Sequence, residues 1–210
     1  MIGRRVVISG LGMVSPLGLN VGDSWGHLLN GRSGVRPITS FDVSNYPTKF
    51  SASIVDFDPN NYFHPKESRK MDTFIQYGMV AGIEAMEDSG INLNLEDPSR
   101  IGVAVGSGIG GIGQIEKNRD ILNSEGPRKI SPFFVPGSII NMVSGNLSIK
   151  YGLKGPNLSV VTACASGTHT VGLGGRLIAH GDADVMLVGG AEMATTPVGL
   201  AGFAAARARA

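Results

Sequence analysis

A single cysteine, Cys164, stands in the 210 residues. No disulfide can form within the chain, and a reducing cytoplasm is the expected compartment. Charge is sparse too: Asp, Glu, Lys and Arg make up 17%, below the roughly 25% of ordinary soluble domains. Neither sign dominates. The 18 Lys and Arg meet 17 Asp and Glu, a net charge of +1, and that balance argues against a nucleic-acid binder, which carries a strong basic excess. Uninterrupted apolar runs are short. MIGRRVVISGLG offers too few apolar residues after its arginines for a signal-peptide core. The span-length stretch Val185 to Ala206 is interrupted by Glu192 and Pro197, so no membrane span is expected. With one Cys and no paired histidine spacing, neither a metal site nor a cofactor is expected.

What the chain has in excess is glycine, 31 of 210 residues, about twice the usual ~7%. The glycines are dispersed among Val, Ile and Ala, a pattern of closely packed backbones rather than of a flexible linker. Four apolar runs, Arg5–Ser9, Ile101–Gly106, Leu158–Thr162 and Asp184–Val188, predict strands buried on both faces of a parallel sheet. Between them, helices are predicted over Asp72–Ser89, Ile112–Asn123, Gly137–Lys150 and Ala165–His180, and the stretch Thr39–Lys66 reads as loop and short elements. Alternation of this kind predicts an α/β layered fold. The Ala165–His180 segment is unusual: Gly167, Gly172, Gly174 and Gly175 lie in it, and Arg176 is its one firm charge. A helix so small and apolar all round is expected to be buried. Together with the uncapped AAARARA ending, it suggests a covering layer from a second subunit or from sequence beyond Ala210.

The segment VVTACASG places Cys164 between a predicted strand and a predicted helix, among small neighbours that permit a sharp turn. That is the arrangement of a nucleophile elbow without the Gly-x-Ser-x-Gly wording. The helix N-terminus presents N–H groups and a partial positive charge, which suit a thiolate nucleophile and an oxyanion. The competing reading is a buried structural cysteine. His169, five residues on, falls roughly 140° around the helix from the cysteine, so it is not expected to be the base. GSGIGG at 106–111 matches G-x-G-x-x-G. No second strand ending in an acid follows about 20 residues later, so close packing is favoured over nucleotide binding. Three basic clusters, Lys66/Arg69/Lys70, Arg128/Lys129 and Arg207/Arg209, read singly as solvated faces. As discrete patches on a neutral chain, they suit local docking of an acidic partner.

RRVVISGLGMVSPLG, RKMDTFIQYGMVAG, GSGIGGIG, GPRKISPFFVP, GLKGPNLSVVTACASG and GDADVMLVGGAE together resemble the β-ketoacyl–acyl carrier protein synthases, most closely the type II elongating enzymes. The resemblance runs through residues 1–210 and covers about the N-terminal half of a family member, with the rest of the domain expected beyond. It implies a thiolase-like αβαβα layered fold, of which this chain would be the N-terminal half, with a mostly parallel sheet. It also implies a homodimer paired through Leu158–Thr162, and an acyltransferase of fatty acid biosynthesis that condenses acyl and malonyl groups with loss of CO₂. Matched by motif, Cys164 would carry the acyl chain. Ile109, Phe134 and Phe203 would line the acyl pocket. Lys66, Arg69, Lys70, Arg128, Lys129 and Arg207 would dock the acyl carrier protein. The family's two catalytic histidines, its lysine and its second oxyanion donor match no residue here. The contrasting expectation is therefore a non-catalytic half-chain that binds carrier protein or a complementary C-terminal half. A different thiolase-like acyltransferase is disfavoured by the basic clusters and by SPFFVP.

Overall fold

The computed structural model describes residues 3–208; Arg209 of the third basic cluster lies outside them. Helix α1 (Val21–Leu29) is followed by a short antiparallel hairpin, β1 (Arg36–Pro37) and β2 (Phe50–Ser51). Then come α2 (Pro65–Ser68), α3 (Thr73–Asp88), β3 (Ile101–Gly106), α4 (Ile112–Glu125), α5 (Phe134–Ser138), α6 (Met142–Tyr151), β4 (Asn157–Leu158), α7 (Ser166–His180), β5 (Val185–Gly190) and α8 (Pro197–Ala205). The central sheet is parallel, in the order β4-β3-β5. Val103 and Ala104 pair with Asn157 and Leu158, and Ile101 through Gly106 pair with Val185 through Gly190.

Every residue of β3 is buried, and its pleat separates two unlike faces. Ile101, Val103 and Val105 join Phe74, Ile75 and Met79 of α3 and Val143 and Leu147 of α6 in the main apolar core. Each large side chain buried there stabilises by about 1.5–3 kcal/mol. The alternate positions, Gly102, Ala104 and Gly106, are small. A Cβ at Gly106 would lie 3.0 Å from Ser166 Cβ, so this face admits α7 at close range. Ser144, fully buried on α6, accepts from Val105 N (2.9 Å) and donates to the Leu158 carbonyl (2.8 Å). That one hydroxyl ties helix, central strand and edge strand together just ahead of the cysteine.

Several predicted boundaries shift for local reasons. The Asp72 carboxylate caps α3, which ends before Gly90 at φ +67. The helix predicted from Gly137 is two helices: α5 carries Pro136 within it, and α6 begins afresh at Met142. Helices α1 and α8 lie where no helix was predicted; α8 has Thr196 as its cap and Pro197 in its first turn. Strand β4 is only two residues long, and 159–161 runs on without regular pairing.

Arg5–Ser9, predicted as a strand, is exposed chain without a ladder partner. Its course is set by α3 and α7. Leu11 N donates to Asp88 and Met13 N to Glu84, each at 2.8 Å, and Arg4 pairs with Asp184. Gly12 lies so close to α3 that a Cβ there would be 1.8 Å from the Ala81 carbonyl oxygen. Between this segment and the free edge of β5 runs a groove of about 540 Å³, floored by α3 and α7. Accordingly β5 is half-buried rather than enclosed. The expectation that α7 is buried all round is met on one side only: Ser166, Thr170 and Gly174 are buried against the sheet, while Val171 is exposed.

Candidate active site around Cys164

From Leu158 the chain climbs past the end of β3, where a Cβ on Gly106 would lie 2.4 Å from the Val160 carbonyl oxygen. It then reverses at Ala163, whose φ of +52 is left-handed, a conformation that costs an L-residue about 1–2 kcal/mol. Ser166, 3% exposed in the first turn of α7, braces this corner. Its hydroxyl donates to the Ala163 carbonyl (2.7 Å) and accepts from Thr162 N (2.9 Å). Cys164 sits at the apex as an exposed free thiol, so the buried structural reading of this cysteine does not hold. No side chain caps α7 at Ala165; Ser166 N turns back to the Ala163 carbonyl (3.1 Å), and the N–H groups of Gly167 and Thr168 that follow face the thiol's end of the helix. His169 is engaged elsewhere, with Nδ1 at 2.7 Å from Thr162 Oγ1.

GSGIGG forms the loop after β3, and its donors are already spent. Glu192, two residues beyond β5, accepts from Gly108 N (2.7 Å), Ile109 N (2.9 Å) and Ser107 Oγ (3.1 Å). The N–H groups that would cradle a phosphate thus hold a carboxylate of the same chain. The loop also presses on the elbow: a Cβ on Gly108 would lie 3.4 Å from Ala163 Cα.

The structure brings some of the expected pocket and docking residues together. Ile109 and Phe134 lie on neighbouring segments: Gly111 N donates to the Ser138 carbonyl (2.9 Å), and Ser138, at the end of the short helix that begins at Phe134, donates its hydroxyl to the Phe134 carbonyl. Phe203 is exposed on α8, which Glu116 of α4 anchors by accepting from Thr196 Oγ1 and Val198 N. Lys70 lies over the Phe133 ring, 5.0 Å from its centroid, so the Lys66/Arg69/Lys70 cluster adjoins the segment that follows Arg128 and Lys129. Arg207 stands apart, beside a hollow lined by Asn45, Tyr46 and Pro47. All six cations are exposed. Ion pairs among the described residues involve Arg4, Arg100 and Arg119 instead. No three His, Cys, Asp or Glu side chains among the described residues are grouped to hold a metal, and no helix there is long and apolar enough to cross a membrane.

Residues 3–210 match the family profile of the β-ketoacyl synthase N-terminal domain. The chain belongs to the β-ketoacyl synthase family. A 3-oxoacyl-[acyl-carrier-protein] synthase 2 of Coxiella burnetii is 58% identical over 98% of this chain, which spans 50% of that relative. This ketoacyl synthase chain is therefore about half the length of the curated relatives it matches. Among solved structures, the ishigamide ketosynthase/chain length factor superposes with a TM-score of 0.85 at 29% identity, over 96% of this chain and 50% of that one. A type II polyketide synthase acyl-carrier protein in complex with its ketosynthase bound to the hexaketide gives 0.79 at 27% identity, over 97% of this chain and 54% of that one. The fold is thus the thiolase-like α/β fold of the ketosynthases. Two site features of this ketoacyl synthase escaped sequence reasoning. Glu192 reads there only as a charge interrupting an apolar stretch, although an acid two residues after an apolar strand was a usable signal. Ser166 is one small residue among several, and nothing in the string marks it as the brace.

Proposed function

We propose that this chain supplies the acyl-accepting half of an elongating 3-oxoacyl–acyl carrier protein synthase, an acyltransferase of fatty acid biosynthesis acting in the cytoplasm. The observation that carries the reading is the braced elbow that presents Cys164 at the head of α7. In the first step the Cys164 thiolate attacks the thioester carbonyl of an acyl-carrier protein. The carbonyl–sulfur bond to the carrier breaks, the carrier leaves as its thiol with a proton from solvent, and the acyl group stays on Cys164. The uncapped N–H groups of α7 would hold the oxyanion of that tetrahedral intermediate. In the second step a malonyl-carrier protein loses CO₂. The resulting enolate carbon bonds to the acyl carbonyl, and Cys164 departs as thiolate, leaving a 3-oxoacyl-carrier protein. No His or Lys of this chain is assigned to the second step, which draws on groups outside residues 1–210.

Ile109, Phe134 and Phe203 are read as lining the acyl pocket; the bond from Gly111 N to the Ser138 carbonyl, which docks the Ile109 loop on the helix that begins at Phe134, supports this for the first two. Lys66, Arg69, Lys70, Arg128, Lys129 and Arg207 are read as the docking surface for an acidic carrier protein. Their exposure and freedom from the described ion pairs support that role. A homodimer is read at β4, the edge of its sheet, where Leu158 is 40% and Val161 54% exposed along an extended run that a second copy would cover. Residues 1–210 are read as the N-terminal part of one ketoacyl synthase domain. The test is formation of 3-oxoacyl-carrier protein from acyl- and malonyl-carrier protein, with protein expressed from its complete reading frame. Cys164→Ala should abolish the product, and undiminished product from that variant would overturn the reading.

A further inference from the structure

Four consecutive residues of the loop after β3 depend on one carboxylate. Glu192 Oε2 takes the N–H groups of Gly108 and Ile109, and Oε1 takes the Ser107 hydroxyl. That hydroxyl in turn accepts from Gly110 N at 3.1 Å. Ser107 is 2% exposed, so the inner end of this network lies within the fold. Hydrogen bonds to an ionised acceptor are roughly twice as strong as neutral ones.

The loop has little room to settle elsewhere. A Cβ on Gly108 would stand 2.8 Å from Glu192 Oε2, displacing the carboxylate, with Ala163 Cα in contact at 3.4 Å on the other side. Gly110 turns at φ +77 against Ile140 and Ser138. Ile109 is thus held at its own N–H by Glu192, between two pinned glycines; it is 40% exposed and directly follows Gly108, the residue that lies against Ala163. A displacement of the carboxylate by one methylene must move Ile109 relative to the thiol.

We propose that Glu192 is a positioning residue that sets the acyl chain length accepted at Cys164 by fixing the Ser107–Gly110 loop and with it Ile109. The proposal rests on the reading of Ile109 as an acyl-pocket residue. Glu192 touches no reacting atom; it acts through the backbone it holds. The chemistry at the sulfur is the thioester exchange described above, so only the geometry of chain entry should change.

The test compares Cys164 acylation by butyryl- and palmitoyl-carrier protein, followed by intact mass, for protein expressed from its complete reading frame. The quantity read is the ratio of the two rates within one variant, so a loss of folded protein cancels. Glu192→Ala and Glu192→Asp should shift this ratio by about fivefold or more. Glu192→Gln keeps an acceptor oxygen at the same reach and should stay within about twofold of the native ratio. Ile109→Ala serves as the reference and should shift the ratio as well. A shifted ratio for Ile109→Ala with native ratios for Glu192→Ala and Glu192→Asp overturns the role of Glu192 and leaves the acyl-pocket reading standing. Native ratios for all of them overturn that reading, and this proposal with it. An equal shift in Glu192→Gln and Glu192→Ala contradicts the geometric argument.

Discussion

Replacing Ala163 by glycine should stabilise the protein while impairing the elbow. At φ +52 an alanine bears a steric cost of about 1–2 kcal/mol that glycine does not. Against this stands the larger backbone freedom glycine loses on folding, about 0.5–1 kcal/mol. Ala163 is exposed, so its methyl group adds little burial. The difference is a gain of up to about 1.5 kcal/mol, centred on about 0.75 kcal/mol, which for a chain of this size raises Tm by about 2–3 °C at the centre of that range. Thermal unfolding by calorimetry of native and Ala163→Gly protein measures it. Ser166→Ala provides the opposite sign, since it removes the acceptor of the Thr162 N–H and one of the two donors to the Ala163 carbonyl, which keeps Ser166 N, a loss of about 0.5–1.5 kcal/mol per bond. Acylation of Cys164 should slow in both, because each loosens the corner that aims the thiol. If Ala163→Gly lowers Tm, the left-handed turn is not a strained one and the reasoning fails. If its acylation rate is native, the strain does not serve the site.

Two further expectations concern charge. Replacing Arg69, Lys70, Arg128 and Lys129 together by Ala should weaken carrier-protein binding by about tenfold or more at low ionic strength and flatten its salt dependence, as isothermal titration at two salt concentrations would show; unchanged affinity returns these residues to an ordinary solvated face. Asp72, 4% exposed, has its carboxyl held above the usual 3.8, chiefly by desolvation. Its native state therefore binds the proton more tightly than its unfolded state, and its contribution to stability falls as pH rises through the native pKa. The stability advantage of native protein over Asp72→Asn should shrink as pH rises from below to above the usual carboxylate range in urea titrations, and an advantage that grows with that rise contradicts the assignment.

Local signals made β3, α3, α4 and α7 legible in the sequence, because unbroken Val/Ile runs and glycine stops act within a few residues. The elbow was legible for the same reason: small residues flank a lone cysteine at a strand-to-helix junction. Arg5–Ser9 was not, since an apolar run becomes a strand only beside a partner edge, and here the segment is held by Glu84, Asp88 and Asp184 from distant parts of the chain. The same holds at the site. Ser166 lies two residues from Cys164, yet its importance depends on the left-handed turn it closes. Glu192 lies 85 residues from Ser107 in sequence, and only the parallel pairing of β3 with β5 brings the two strand ends together. Helix α8 is apolar all round and is marked by its Thr196 cap rather than by periodicity, whereas the amphipathic spacing of α1, capped by Asn20, was a usable signal.

The central claim is that the strained, braced turn at Ala163 exists to present Cys164 as the acyl acceptor. Intact-mass measurement of the protein after incubation with a palmitoyl-carrier protein tests it most directly. The account predicts one added palmitoyl group, localised to Cys164 by peptide mapping and absent from Cys164→Ala. No adduct on the folded native protein, or an adduct that persists in Cys164→Ala, would contradict it.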